Sequence, residues 1–179
     1  PSLVVMEACG GAHHWARLLQ GMGHSVKLLP AIHVRPFVTR DKTDANDAQA
    51  IWVCAQQPHI KEVAVKTVPQ QACLSLHRMR DQLLKMRIQQ TNALRGLLYE
   101  FGIVLPEGHR ALMQQIQGEV AKAQDSLPAE FIQSLQEQIK RIHELQNDLN
   151  ALDKRLLNLI KNDPRMQAIY AIPGMGPLS

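Results

Sequence analysis

Apolar and polar residues alternate along this chain with two different periods, short and mixed up to about residue 66 and long-range helical beyond it. Residues 3–8 form an apolar, β-branched run, Leu3-Val4-Val5-Met6, ending at Glu7 and Ala8, which predicts a short buried strand. Gly10-Gly11 breaks that run. Over 12–22, Ala12, Trp15, Ala16, Leu18, Leu19 and Met22 recur at helical spacing, and Gly21-Met22-Gly23 ends the helix. Residues 25–29 predict a second strand closed by Pro30. Strand, helix and strand in so short a span make a βαβ unit, which implies a parallel pair joined by a right-handed crossover. The stretch 33–42 has little period and predicts a loop, and 44–55 predicts a helix capped by Thr43.

From Pro69 onward the spacing belongs to long helices. Ala72, Leu76, Met79, Leu83, Met86, Gln90, Ala93 and Leu97 follow alternating steps of four and three, a heptad seam interrupted by one Gln. A second seam runs Phe131, Leu135, Gln138, Ile142, Leu145, Leu149, Leu152, Leu156 and Leu159. Between them, residues 102–128 hold Pro106, Gly108, Gly118 and Pro128 and predict a turn with a short helix. The seams are able to pair with each other as an antiparallel hairpin or with a second chain. Further apolar positions, among them Leu84, Leu94, Leu98, Ile132, Ile139 and Ile160, widen the faces and favour a bundle built by two protomers, a homodimer or higher oligomer.

Composition narrows the class. A chain of 179 residues with 45% hydrophobic content can bury a real core. Lys and Arg outnumber Asp and Glu by 20 to 16, and the surplus sits in front: residues 1–101 carry 12 basic against 7 acidic side chains, residues 102–179 carry 8 against 9. Cys9, Cys54 and Cys73 form no CxxC pair, so neither a disulfide framework nor a zinc site is indicated, and the eight histidines show no metal-ligand spacing. No secretory leader and no membrane-spanning run is visible, which predicts a soluble cytoplasmic protein with no membrane partner. Both ends read as cut, with strand-like sequence directly after Pro1 and a Gly-rich turn just before Ser179.

The candidate chemistry lies in three carboxylates. Glu7 closes the first strand, where the active sites of parallel sheets gather, and Asp44 and Asp47 share one face of the following helix. A hard cation such as Mg²⁺, or Mn²⁺, takes oxygen ligands of this kind, and two such ions serve phosphodiester chemistry by activating the attacking oxygen and stabilising the leaving one. Capping and the helix dipole also favour Asp at a helix start, so a structural reading stands beside the catalytic one. Arg35, Arg40 and Lys42 precede these acids and are candidates for phosphate contact. On the first long helix, Arg78, Arg80, Lys85 and Arg87 lie off the seam with only Asp81 among them, which predicts a nucleic-acid-binding ridge.

Three segments carry a family resemblance: Met6-Glu7-Ala8-Cys9-Gly10-Gly11-Ala12-His13, Lys42-Thr43-Asp44-Ala45-Asn46-Asp47-Ala48 and Ala171-Ile172-Pro173-Gly174-Met175-Gly176-Pro177. In that order around a long helical section they resemble the DEDD-type insertion-sequence transposases. The resemblance implies an α/β fold, a partial RNase H-like (RuvC-like) domain over 1–66, then a helical coiled-coil region over 67–165 and the opening of a C-terminal transposase domain over 166–179. It further implies a metal-dependent enzyme that cuts and rejoins DNA, with a structured guide RNA as a partner and a place on the bacterial nucleoid. Glu7 would match the family's Glu, and Asp44 and Asp47 its last two Asp residues, while its first Asp and its C-terminal serine have no counterpart between Pro1 and Ser179. On that ground the chain is expected to be impaired by itself. A resolvase-like nuclease and a non-catalytic nucleic-acid-binding dimerisation module are the other readings the residues allow.

Overall fold

The βαβ unit forms where the apolar runs place it. β1 (Leu3–Glu7) and β2 (Ser25–Leu29) are parallel, with Leu3 opposite Ser25 and Glu7 opposite Leu29. Between them runs α1 (Ala12–Gly21), which enters through Gly11 at φ 82°. That left-handed backbone suits glycine and not a residue with a Cβ. The structure, a computed structural model, describes residues 1–39, 43–162, 167–168 and 172–174. The chain is mixed α/β, mostly helical, and divides into two compact units, Pro1–Gln71 and Ala72–Ser179.

In the first unit, β2 leads into α2 (Ala31–Val34) and a 3-10 turn (Arg35–Phe37), where a loop was expected from residue 33. Two short helical pieces of four and three residues are too brief to leave a periodic signature, and Val34 is buried by them. α3 (Asp44–Ala55) starts at Thr43, whose hydroxyl accepts a hydrogen bond from the Asn46 amide at 3.3 Å, satisfying one orphan donor of the first turn. Its buried stripe, Ala50 and Cys54, packs with Leu29, Val34 and the half-buried Val5. A second small core joins Ala12 and Ala16 of α1 to Leu28.

An extended strap without sequence periodicity closes this unit. Val63 donates to the Leu28 carbonyl at 2.7 Å, Glu62 pairs with Lys27 at 2.6 Å, and Val63 and Val65 cover the α1 core. His13 accepts the Lys66 amide at 3.2 Å while Arg17 donates to the Lys66 carbonyl at 2.6 Å. Thr67 and Gln70 then make reciprocal side-chain to backbone bonds, a capping box that launches α4 (Val68–Tyr99).

The second unit is a helical hairpin with a third helix laid against one end. α4 is followed by α5 (His109–Lys122) and α6 (Ala129–Lys161). Arg80 reaches Asp153 and Arg87 reaches Gln146, so the two long helices run antiparallel. Leu94 and Leu98 of α4, Leu112, Ile116 and Val120 of α5, and Ile132, Leu135, Ile139 and Ile142 of α6 form one buried cluster.

The inward face of α4 differs from the expected seam. It is His77, Arg80, Leu84, Arg87, Thr91, Leu94 and Leu98, one residue further along the chain at every position. Arg80 and Arg87 are tolerated there because Asp153 and Gln146 meet their polar ends, and the Thr91 hydroxyl donates to the Arg87 carbonyl at 2.8 Å. In α6 five of the nine expected seam positions are buried, namely Leu135, Ile142, Leu149, Leu152 and Leu156. The rest of the inward face is Ile132, Ile139, Gln146, Asp153 and Ile160.

His109 sits at the start of α5 with a buried Nδ1 that has no hydrogen-bond partner among the described residues. Burial pushes its pKa below the usual imidazole range, and the neighbouring Arg87 and His143 push it the same way. A depressed folded-state pKa means the unfolded chain takes up the proton first. Stability is therefore fully present above the ordinary imidazole pKa of about 6.5 and declines as the pH falls below it toward the folded value. Thermal unfolding followed from about pH 8 to about pH 5 is expected to show a steeper loss of Tm in the native chain than in His109→Gln. Equal slopes would remove His109 as a source of the pH dependence.

Candidate functional site

The carboxyl end of the parallel pair holds Glu7 and leads on to Arg35. Glu7 is the last residue of β1, half-buried, and lies opposite Leu29 of β2. The Gly10-Gly11 turn follows closely, and the Ala8 amide donates to the Leu29 carbonyl at 2.8 Å. Leaving β2 at the same end, the chain reaches Arg35, which is exposed in the 3-10 turn. Parallel sheets collect ligands at this edge because the strand ends and the helix starts both open there.

α3 carries both aspartates in its first turn. Asp47 is half-buried and lies three residues before Ala50, so it extends the helix stripe that packs on Leu29 and Val34. Asp44 is exposed. Among the described residues Glu7, Asp44 and Asp47 take part in no ion pair, and no three His, Cys, Asp or Glu side chains are arranged to hold a metal ion. The donor set is nonetheless of the right kind for a hard divalent cation, being all carboxylate oxygen at a strand end and a helix start. The fit is one of chemistry and neighbourhood, and the three side chains do not form a ligand triad by themselves. Arg40 and Lys42 lie outside the described residues.

The basic residues of α4 fall into two sets. Arg78 and Lys85 are exposed, as a phosphate-binding ridge requires. Arg80 is mostly covered and bonded to Asp153, and Arg87 turns to Gln146. The expected ridge is thus interrupted by two arginines that face α6. His13 and Arg17, which hold the strap at Lys66, carried no signal in the sequence beyond their helical position. Burial, with Lys66 and Arg17 adding to it, lowers the His13 pKa below the usual imidazole range, consistent with a neutral ring accepting the Lys66 amide. Of the Gly turn near the C-terminus only residues 172–174 are described, with Gly174 at φ 87°. No helix among the described residues is long and apolar enough to cross a membrane.

A family profile described as Transposase matches residues 1–103. Over its whole length the chain is similar to a protein of Pseudomonas aeruginosa named probable family 20 transposase, 39% identical over 180 residues and covering 53% of that protein. It is similar also to the putative transposase y4pF/y4sB of Sinorhizobium fredii, 40% identical over 183 residues, which span 99% of this chain and 46% of that one. The transposase for insertion sequence element IS1328 of Yersinia enterocolitica is 34% identical over 179 residues, all of this chain and 53% of its own. The chain therefore spans about half the length of the curated relatives it matches.

Proposed function

Since this chain belongs to the DEDD-type insertion-sequence transposases, we propose that it supplies the acidic half of a centre with which the whole protein cuts and rejoins DNA at insertion-sequence ends. The observation that carries this reading is the placement of Glu7 at the carboxyl end of β1, with α3 packed on the same small sheet and carrying Asp44 and Asp47 in its first turn. Glu7, Asp44 and Asp47 would hold a divalent cation of the magnesium class. That cation, when bound, supplies Lewis-acid stabilisation of phosphate oxygens and lowers the pKa of an attacking hydroxyl or water. The fold is of the RNase H-like, RuvC-like type, of which β1, α1, β2 and α3 are a part.

The chain's own residues bind and orient the nucleic acid. Arg35 stands at the sheet's carboxyl edge, with Arg40 and Lys42 preceding the acids in sequence, and Arg78 and Lys85 project from α4. Together they contact the backbone of DNA and of a structured guide RNA, whereas Arg80 and Arg87 are committed to α6 and hold the hairpin. The helical unit assembles the protein as a homodimer or higher oligomer. The whole protein works in the cytoplasm on the chromosome.

Binding of duplex DNA or structured RNA to this chain is expected to weaken steeply with salt, the logarithm of the affinity falling by about 0.9 per duplex phosphate contact per logarithm of salt. Arg78→Ala and Lys85→Ala are each expected to reduce that slope by about one contact. An affinity independent of salt, or slopes unmoved by both substitutions, would take α4 out of the nucleic-acid interface.

A further inference from the structure

We propose that His13 is a proton-operated latch on the strap of the first unit: neutral, it holds residues 62–66 against α1 and β2, and on taking up a proton it lets them go. The ring is half-buried on α1 and meets Lys66 at two points. Nδ1 accepts the Lys66 amide at 3.2 Å, and Nε2 stands 3.0 Å from the Lys66 Nζ. A backbone amide can only donate, so Nδ1 must keep its lone pair, and the neutral ring carries its proton on Nε2.

A second proton has one place to go, which is Nδ1. There it meets the Lys66 N–H donor to donor, and the bond that ties the strap to the ring is lost. The charge it brings also finds no counter-ion. The charged groups facing the ring are Lys66 on the strap and Arg17 on α1 itself, both basic. β1 and β2 present Met6, Val26 and Leu28 to α1, and the acid of the strap, Glu62, is taken up by Lys27 at 2.6 Å. The released ring therefore binds a proton more readily than the latched one, in keeping with the lowered pKa of His13 in the folded chain.

The strap has few other ties. Val63 gives a single bond to the Leu28 carbonyl, and the Lys27–Glu62 pair is exposed, where such pairs contribute little. Arg17 still donates to the Lys66 carbonyl, but a protonated ring sets a second cation beside that guanidinium. Release uncovers the outer edge of β2 together with the Ala12, Ala16 and Leu28 core that Val63 and Val65 close. The packing of the small sheet that ends in Glu7 is thereby made to depend on pH.

Amide hydrogen exchange on the full chain, with the His13 ring titrated by NMR in the same samples, tests this. Protection of the Val63 and Lys66 amides, corrected for the intrinsic pH dependence of exchange, is expected to fall about tenfold between about pH 7.5 and about pH 5.5, while the β1–β2 amides keep theirs. The factor follows from linkage: below the ordinary imidazole pKa of about 6.5, opening becomes about tenfold easier per pH unit until the latched ring itself titrates. His13→Asn sets an amide oxygen near the place of Nδ1 and does not titrate. Its protection at the same two amides is expected to be independent of pH, whether the strap is held as firmly as in the native chain or less so. Native protection that stays constant over this range, or a fall of the same size in His13→Asn, overturns the latch.

Discussion

In the whole protein, Asp47→Asn is expected to lower the rate of DNA strand cleavage by about 10²-fold or more, the loss typical when a group that stabilises transition-state charge is removed. Asp47 is chosen over Asp44 because it is half-buried on the α3 stripe that packs on the sheet, whereas Asp44 is exposed. A carboxylate held by a packed helix keeps its position through the reaction, and a free one does not. The substitution keeps the side chain's size and removes only its charge, so DNA binding should be unchanged or slightly tighter. Single-turnover cleavage of insertion-sequence-end DNA separates the two effects. An unaltered rate would reduce Asp47 to a helix-start charge worth about 0.3–1 kcal/mol of stability.

The second large effect is expected in the helical unit. Leu98→Ala should cost about 2–5 kcal/mol, because Leu98 is wholly buried in one cluster with Leu94, Leu105, Leu112 and Leu135. Met86→Ala, on the uncovered seam, should change the stability of the monomer by no more than about 0.5 kcal/mol. Urea unfolding at low protein concentration reads both. A larger loss at Met86 than at Leu98 would mean that the two faces of α4 had been exchanged.

These two faces of α4 mark the boundary of what the residues alone convey. The βαβ unit was legible because Leu3 to Met6 and Val26 to Leu29 are largely apolar runs bounded by glycine and proline, and the start of α3 because Thr43 is a capping residue. The inward face of α4 was not, because four of its seven positions are polar: His77, Arg80, Arg87 and Thr91. Apolar periodicity therefore selected the neighbouring row, about 100° round the helix, of which Leu76, Leu83 and Gln90 are half-buried and Ala72, Met79, Met86, Ala93 and Leu97 exposed. The polar row is explained only by Asp153 and Gln146, which are remote in sequence and adjacent in the fold. The strap from Glu62 to Lys66 escaped for a similar reason, since what holds it is a set of single bonds to Leu28, His13 and Arg17 with no repeat. At the candidate site the residue types were readable, and the packing of the elements that carry them was not. Glu7 and the two aspartates ride on elements that pack together, β1 and α3, and no local pattern encodes that packing.

The central claim, that Glu7, Asp44 and Asp47 belong to a metal centre, is tested most directly by calorimetric titration of Mg²⁺ or Mn²⁺ into the whole protein and into its Asp44→Ala/Asp47→Ala variant. Binding that is present in the native protein and absent from the variant is the result expected. Equal binding by the two, or none by either, would contradict the claim and leave the aspartates as the capped start of α3.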